Sequence, residues 1–234
     1  CTAKITNNLS NRNLIINGSQ IIAERGSVSA VANAYGACDR WRLFSNGTSA
    51  RFDTTQSTDV PSGSGFSNSL KLDCSTADTS LGSGDYYMLI QKIEGLNLQH
   101  LKYGTSSAEK CTLSFWVKSP KTGVHNLEIE SADGGKFNTT QYSISSANSW
   151  QKVEITFDGY QTTAIANDNT VGLYITFWLQ AGSAFTGGSY SANSWHSTNG
   201  NRAVNQVNVL DSTSNDFYIT GVQLEVGDVA TDFE

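Results

Sequence analysis

Charge, proline, long apolar runs and paired cysteines are all scarce in this sequence. Charged residues make up 15% of the 234-residue chain, against roughly 25% in ordinary soluble domains. The net charge is -6 and no run of Lys or Arg exceeds a pair, which excludes nucleic acid as a partner read through its phosphates. The longest apolar stretch, residues 171–179, is interrupted by Gly172 and Thr176 and ends at Gln180, too short and too polar for a membrane span, so no membrane partner is expected. Cys1, Cys38, Cys74 and Cys111 are widely spaced with no CxxC. That argues against zinc and redox sites and for free thiols that pack as small hydrophobes. Neither an initiating Met nor a basic-then-apolar leader opens the chain (CTAKITNNLS), and we read it as part of a longer protein.

Catalytic signatures are missing as well. There is no GxSxG, GxxxxGK, HExxH or GxGxxG, and in Ser149 to Lys152, one of two SxxK matches, the lysine falls on the wet side of a strand, without the burial that activates an amine. His100, His125 and His196 stand alone in sequence and are expected at the surface or as caps, with no metal ligand set. A carboxylate pair for glycoside hydrolysis can be assembled in space from any Asp and Glu, but one small sandwich offers little scaffold for it. No enzyme activity, metal or cofactor is expected.

What the sequence does contain is Ser, Thr and Asn, together roughly a third of its residues, and 21 glycines, a mixture that favours strands and turns over helices. In that background the sequons at Asn8, Asn17, Asn46 and Asn138 arise by chance. Strict alternation marks strands at 111–118, with Leu113, Phe115 and Val117 on one face, at 150–157 with Val153, Ile155 and Phe157, at 124–129, and at 171–179 with Leu173, Ile175, Phe177 and Leu179. Further strands are expected at 14–17, 21–24, 39–44, 69–73, 86–93, 204–210 and 216–226, the last with a bulge at Gly221. Only residues 95–101 ask for a helical turn. The pattern predicts an all-β fold, a two-sheet antiparallel β-sandwich of jelly-roll type with one short helical turn. Residues 1–12 form an N-terminal extension and 13–234 a single domain.

Aromatic side chains carry the functional signal. Trp116 lies opposite the core face of its strand, as do Tyr174 and Trp178 of theirs. Either these rings are exposed, where flat apolar faces beside Asn, Gln and Ser suit sugar binding, or a further layer covers them. The long loop 181–201 holds Phe185, Tyr190, Trp195 and His196 among Gly, Ser and Asn, and it either contacts a ligand or packs on itself around Trp195. Tyr190, Trp195 and His196 of the loop and Trp116, Tyr174 and Trp178 of the sheet faces are therefore the candidate glycan-binding residues, with the loop slightly favoured. Trp41 and Trp150 read as structural.

Several stretches, NLIING from Asn13, AERG from Ala23, DRW at 39–41, LKLDC at 70–74, QKIEGLNLQHL at 91–101, LSFWVKSPKTG at 113–123 and the terminal 205–234, make the chain resemble a β-sandwich family of tail-fibre and other virion structural proteins of marine bacteriophages. Its jelly roll is similar to carbohydrate-binding modules. Residues 181–203 match only loosely. The resemblance implies a non-enzymatic component of the virion exterior, a tail-fibre or spike module attaching to host surface polysaccharide, and contacts with other virion proteins. Fibres of this kind are built by three chains, which implies a homotrimer. Alternatives are a capsid decoration or fibre scaffold protein with a purely structural role, and a glycan-binding domain of a polysaccharide-degrading enzyme. No ligand-site motif carries over from the family.

Overall fold

A computed structural model describes residues 12–234. Cys1, the Asn8 sequon and nearly all of the expected N-terminal extension lie outside the described residues. Two six-stranded antiparallel sheets face each other. In the first, the order is β1 (Val28–Val31), β3 (Arg51–Ser57), β4 (Ser69–Thr76), β12 (Asp216–Val226), β6 (Cys111–Lys118) and β9 (Gln151–Phe157). The second runs β11 (Trp195–His196), β8 (Lys136–Ile144), β7 (Gly123–Ser131), β10 (Val171–Ala181), β5 (Tyr86–Glu94) and β2 (Arg42–Asn46). Among consecutive strands only β3–β4 and β7–β8 pair with each other as hairpins, and nearly every other connection crosses between sheets, as the expected jelly roll requires.

The core is the set of inward alternating side chains. Leu113, Phe115 and Val117 of β6 and Phe217, Ile219 and Leu224 of β12 meet Leu127 and Ile129 of β7 and Leu173, Ile175 and Phe177 of β10, all buried. Phe115 meets Phe177 edge to face at 5.1 Å. Burial of this kind contributes about 25 cal/mol per Å² of apolar surface. Cys38, Cys74 and Cys111 are free and buried in that core; burial pushes the Cys38 and Cys111 thiols up to about 12, so they are inert packing groups. Gly221 sits at φ +60 where the β12–β6 register shifts, and a Cβ there would lie 2.4 Å from the Phe66 ring. It is the expected bulge.

Some expectations fail for identifiable reasons. Residues 14–17, 21–24 and 204–210 are not strands. Asn17, at the end of the first, and Gln20, just before the second, take left-handed backbone (φ 57 and 60). Gln91 supplies what a neighbouring strand would have: its amide donates to the Ile16 carbonyl at 3.0 Å and accepts from the Ile16 N–H at 2.8 Å. In 204–210, Asn126 and Gln141 donate to the Val204 carbonyl and Gln206 accepts from the Asn126 N–H, so side-chain amides replace the ladder. Conversely β1, β3, β8 and β11 were not anticipated: Thr, Asn and Gln blur the alternation of β3 and β8, while β1 and β11, of four and two residues, are too short to show one. The turn at 95–101 resolves into two 3-10 turns, Gly95–Asn97 and Gln99–Leu101, while Ser183–Thr186 forms a four-residue helix, α1. Among the described residues no helix is long and apolar enough to cross a membrane.

Candidate functional site

Alternation in β10 sends Tyr174, Thr176 and Trp178 to the face of the second sheet away from the core, before the register shifts at Gln180. The register then aligns whole rows of side chains across that face: Lys92, Tyr174, Glu130 and Phe137 from β5, β10, β7 and β8, and beside them Arg42, Ile90, Thr176, Glu128 and Thr139. Part of this face is roofed by residues 182–203. Gly182 N–H donates to the Asp85 carbonyl at 2.7 Å and Ala184 N–H to the Ser83 carbonyl at 2.9 Å, fixing where the roof begins. Across the roof, Gly188 N–H donates to the Gly200 carbonyl at 3.0 Å, and a Cβ on Gly188 would lie 2.7 Å from the Gly200 carbonyl carbon. At its far end Arg202 grips Glu128, Nε to Oε2 at 2.9 Å and Nη2 to Oε1 at 2.6 Å. The Glu128 side chain is 0% exposed and that of Arg202 is 14% exposed, and the guanidinium lies 3.7 Å above the Phe137 ring. Glu128 also accepts from Thr139 Oγ1 at 3.1 Å.

Under the roof a second apolar cluster forms from Met88, Ile90, Trp178 and Ala203, with Phe44, Tyr86, Tyr174 and Phe185 packed on it. Trp178 is wholly buried there, 5.3 Å from Phe185. Of the two alternatives for Trp178, an exposed ring or one under a further layer, the structure has the second, so Trp178 is not an exposed sugar-stacking ring.

Where the roof ends, a cleft of about 420 Å³ opens over the sheet. Met88, Ile90 and Thr176 lie along its floor, and half-buried aromatic rings border it: Tyr174, Tyr86 with Phe44, and Phe185 from the roof. Arg42, Lys92, Arg202 and Glu130 bring charge to it and Asn199 an amide. Lys92 Nζ stands 5.4 Å from the centre of the Tyr174 ring and the Arg42 guanidinium 5.3 Å from that of Phe44. Glu130 lies 3.8 Å from Arg202; burial raises its carboxyl above the usual range, and Arg202 partly opposes this. Burial also raises the Tyr174 phenol. Flat apolar walls with few directional polar groups can hold a ring-shaped ligand that carries hydroxyls.

The six sequence candidates do not converge. Tyr174 lines this cleft and Trp178 lies beneath it, while Trp116 is on the opposite sheet, lining a separate groove with Phe66 and Phe233. Trp195 pairs with β8 as part of β11, donates from Nε1 to the Asp158 carbonyl at 2.8 Å, and packs on Tyr160 and Tyr103. It anchors the loop to the main core. Tyr190 accepts the Gln141 N–H through its hydroxyl at 3.2 Å, and His196 is half-buried beside Phe137, its pKa lowered chiefly by burial. Of the loop aromatics only Phe185 borders the cleft. Arg42, Phe44, Tyr86, Lys92, Glu130 and Arg202 were missed; period-two alternation in β5 places Tyr86, Met88, Ile90 and Lys92 on one face, which was the available signal. His125, expected at the surface, is fully buried and stacked on Tyr142 at 5.4 Å. Trp41 is buried, as a structural residue should be, and half-exposed Trp150 donates to Asp59 at 2.9 Å.

No family model and no curated protein matches the chain. Among solved structures, the enzymatically active domain of tailspike protein 4 of bacteriophage CBA120 is similar at 16% identity and a TM-score of 0.49, over 92% of this chain and 21% of that one. The chain thus spans about a fifth of that tailspike structure. A family 11 carbohydrate-binding module of a cellulosomal cellulase of Clostridium thermocellum is similar at 14% identity and a TM-score of 0.41, over 87% of this chain and 97% of that module.

Proposed function

We propose that this protein is a non-catalytic glycan-binding module of a phage tail fibre or spike, attaching the virion to host surface polysaccharide. The observation that carries the binding role is the preformed cleft, where Tyr174 and Phe185 offer ring faces beside Asn199, Thr176 and Glu130. Its location on a virion, alongside other virion proteins, rests on the stretches resembling phage fibre proteins, above all residues 113–123 and 205–234. A homotrimer would multiply weak individual sites into lasting attachment.

The carboxylates argue for binding without cleavage. Glycoside hydrolysis by the usual route needs two carboxyl groups flanking the scissile bond. Among the described residues Glu130 is the single carboxylate lining the cleft, and Glu128 is sealed beneath Arg202. The test is retention on an array of bacterial surface polysaccharides. Tyr174→Ala, with folding checked by circular dichroism, is expected to weaken binding about tenfold, the scale of one lost ring-stacking contact. Unchanged binding by that variant, or steady release of reducing ends by the parent, would overturn the proposal.

A further inference from the structure

Most lysines and arginines of the described residues sit within 4.0 Å of a carboxylate; Arg42, Arg51, Lys92 and Lys136 do not. Arg51 is occupied by the carbonyls of Thr48 and Ala50, and Lys136 belongs to a different surface hollow, beside Trp195. The remaining two, Arg42 and Lys92, both line the cleft. They project from adjacent strands: Arg42 is paired with Ile90, and Lys92 lies two residues further along the same face. Such diagonal neighbours have Cβ atoms about 7–8 Å apart, close enough for two long side chains to converge on one small anion. In a chain of net charge -6, two cations without a carboxylate partner in one concave, half-apolar site are out of keeping with the rest of the surface.

Resting on the glycan-binding reading, we infer that the cleft is selective for acidic sugars, with the carboxylate or sulfate of a pyranose seated between Arg42 and Lys92 while its ring lies on Tyr174. The order of charges across the sheet fits a ligand that is acidic at one end and hydroxylated at the other. Lys92, Tyr174 and Glu130 occupy one row on successive strands, and strands are spaced about 4.8 Å apart. Lys92 and Glu130 therefore rise from the strands on either side of Tyr174, with the Lys92 ammonium 5.4 Å from the centre of its ring. Glu130 is turned towards Arg202 and is available to accept hydroxyl hydrogens. Arg42 supplies the planar fork that suits carboxylate and sulfate oxygens, and Lys92 a point charge.

The test uses polysaccharide pairs that differ in charge alone: polygalacturonate against its fully methyl-esterified form, and dextran sulfate against dextran. The parent chain is expected to bind at least one acidic member about tenfold more tightly than its neutral twin, with the preference shrinking between about 0.05 M and about 0.5 M NaCl as the charges are screened. The first pair reports a carboxylate ligand and the second a sulfate. Arg42→Gln and Lys92→Gln should each abolish most of the preference, whereas Lys136→Gln, outside the cleft, should leave it intact. Equal binding of both members of each pair would refute selectivity for acid and leave glycan binding standing. Equal loss in all three variants would show diffuse attraction and also refute it. Failure to retain any polysaccharide, charged or neutral, would overturn the glycan-binding reading itself.

Discussion

Removing Arg202 while leaving Glu128 in place is the sharpest perturbation of this fold. Arg202→Ala strands a carboxylate that has no solvent contact, retaining only the Thr139 hydroxyl of its present partners. Breaking a buried ion pair from one side costs about 3–5 kcal/mol, most of it the penalty of the abandoned charge. The lost packing of the guanidinium over Phe137, at 3.7 Å, and Trp178, at 5.2 Å, adds to it. For a domain of this size each kcal/mol moves the melting temperature by about 2–4 °C, so a fall of about 10 °C is expected. Urea denaturation of Arg202→Ala, Glu128→Gln and the double variant Glu128→Gln/Arg202→Met closes a thermodynamic cycle. Because the double variant buries no charge, it should lie within about 2 kcal/mol of the parent although it lacks the pair entirely. Limited proteolysis should cut the 186–202 segment of Arg202→Ala first, since its far tether is gone. A cost for Arg202→Ala below about 1 kcal/mol, the value of an exposed pair, would refute the view that Glu128 is sealed under this roof.

Burial pushes the His125 imidazole down from 6.5 to about 4, so the folded state holds it neutral where the unfolded chain would protonate it. Stability should be full above pH 6.5 and fall by about 3 kcal/mol as pH drops towards 4; urea titrations of the parent and His125→Phe check this, and parallel curves would count against it. Gly221→Ala should lose about 1–3 kcal/mol, because it places a Cβ against the Phe66 ring at a positive φ, as read from thermal melts. Trp195→Ala should cost about 3–5 kcal/mol in stability yet leave polysaccharide affinity of the folded molecule within about twofold of the parent. Tyr174→Ala should do the reverse, and a loss of affinity confined to Trp195→Ala would move the site from the cleft to the loop.

What the sequence made legible followed period-two alternation. Strands β6, β9 and β10 alternate without interruption and were found within a residue or two; β3 and β8, whose faces mix Thr, Asn and Gln, were not. Alternation also reports which side a residue takes, but not what lies over that side. Tyr174 and Trp178 share a face, and only the roof makes one half-exposed and the other buried. The partner of Glu128 is 74 residues away, a separation no spacing rule reaches, so the ion pair that positions the roof left no local mark. His125 is different, since it sits two and four residues before the core residues Leu127 and Ile129. The alternation that placed those two inside would have placed it inside as well.

The cleft is lined by the sheet face through Tyr174 and by the loop through Phe185 and Asn199, not through the loop candidates Tyr190, Trp195 and His196, and this bears on the energetics of the proposed recognition. A free loop must be ordered when a ligand binds, at about 0.5–1.5 kcal/mol for each side chain immobilised. Here that ordering is completed during folding. The roof is tied at its start to Asp85 and Ser83, across its middle by Gly188 and Gly200, and at its end by Arg202 on Glu128. Phe185 and Arg202 face the sheet and are fixed by these ties, whereas residues 189–194 lie outside the cleft lining and are mostly exposed. Between these ties the segment is held again, by Trp195, whose Nε1 donates to the Asp158 carbonyl, and by Asn193, whose side-chain oxygen accepts the Asp158 N–H. Substitutions at the exposed Ser191 and Ala192 are expected to change the loop surface without disturbing the ring platform and cations of the cleft.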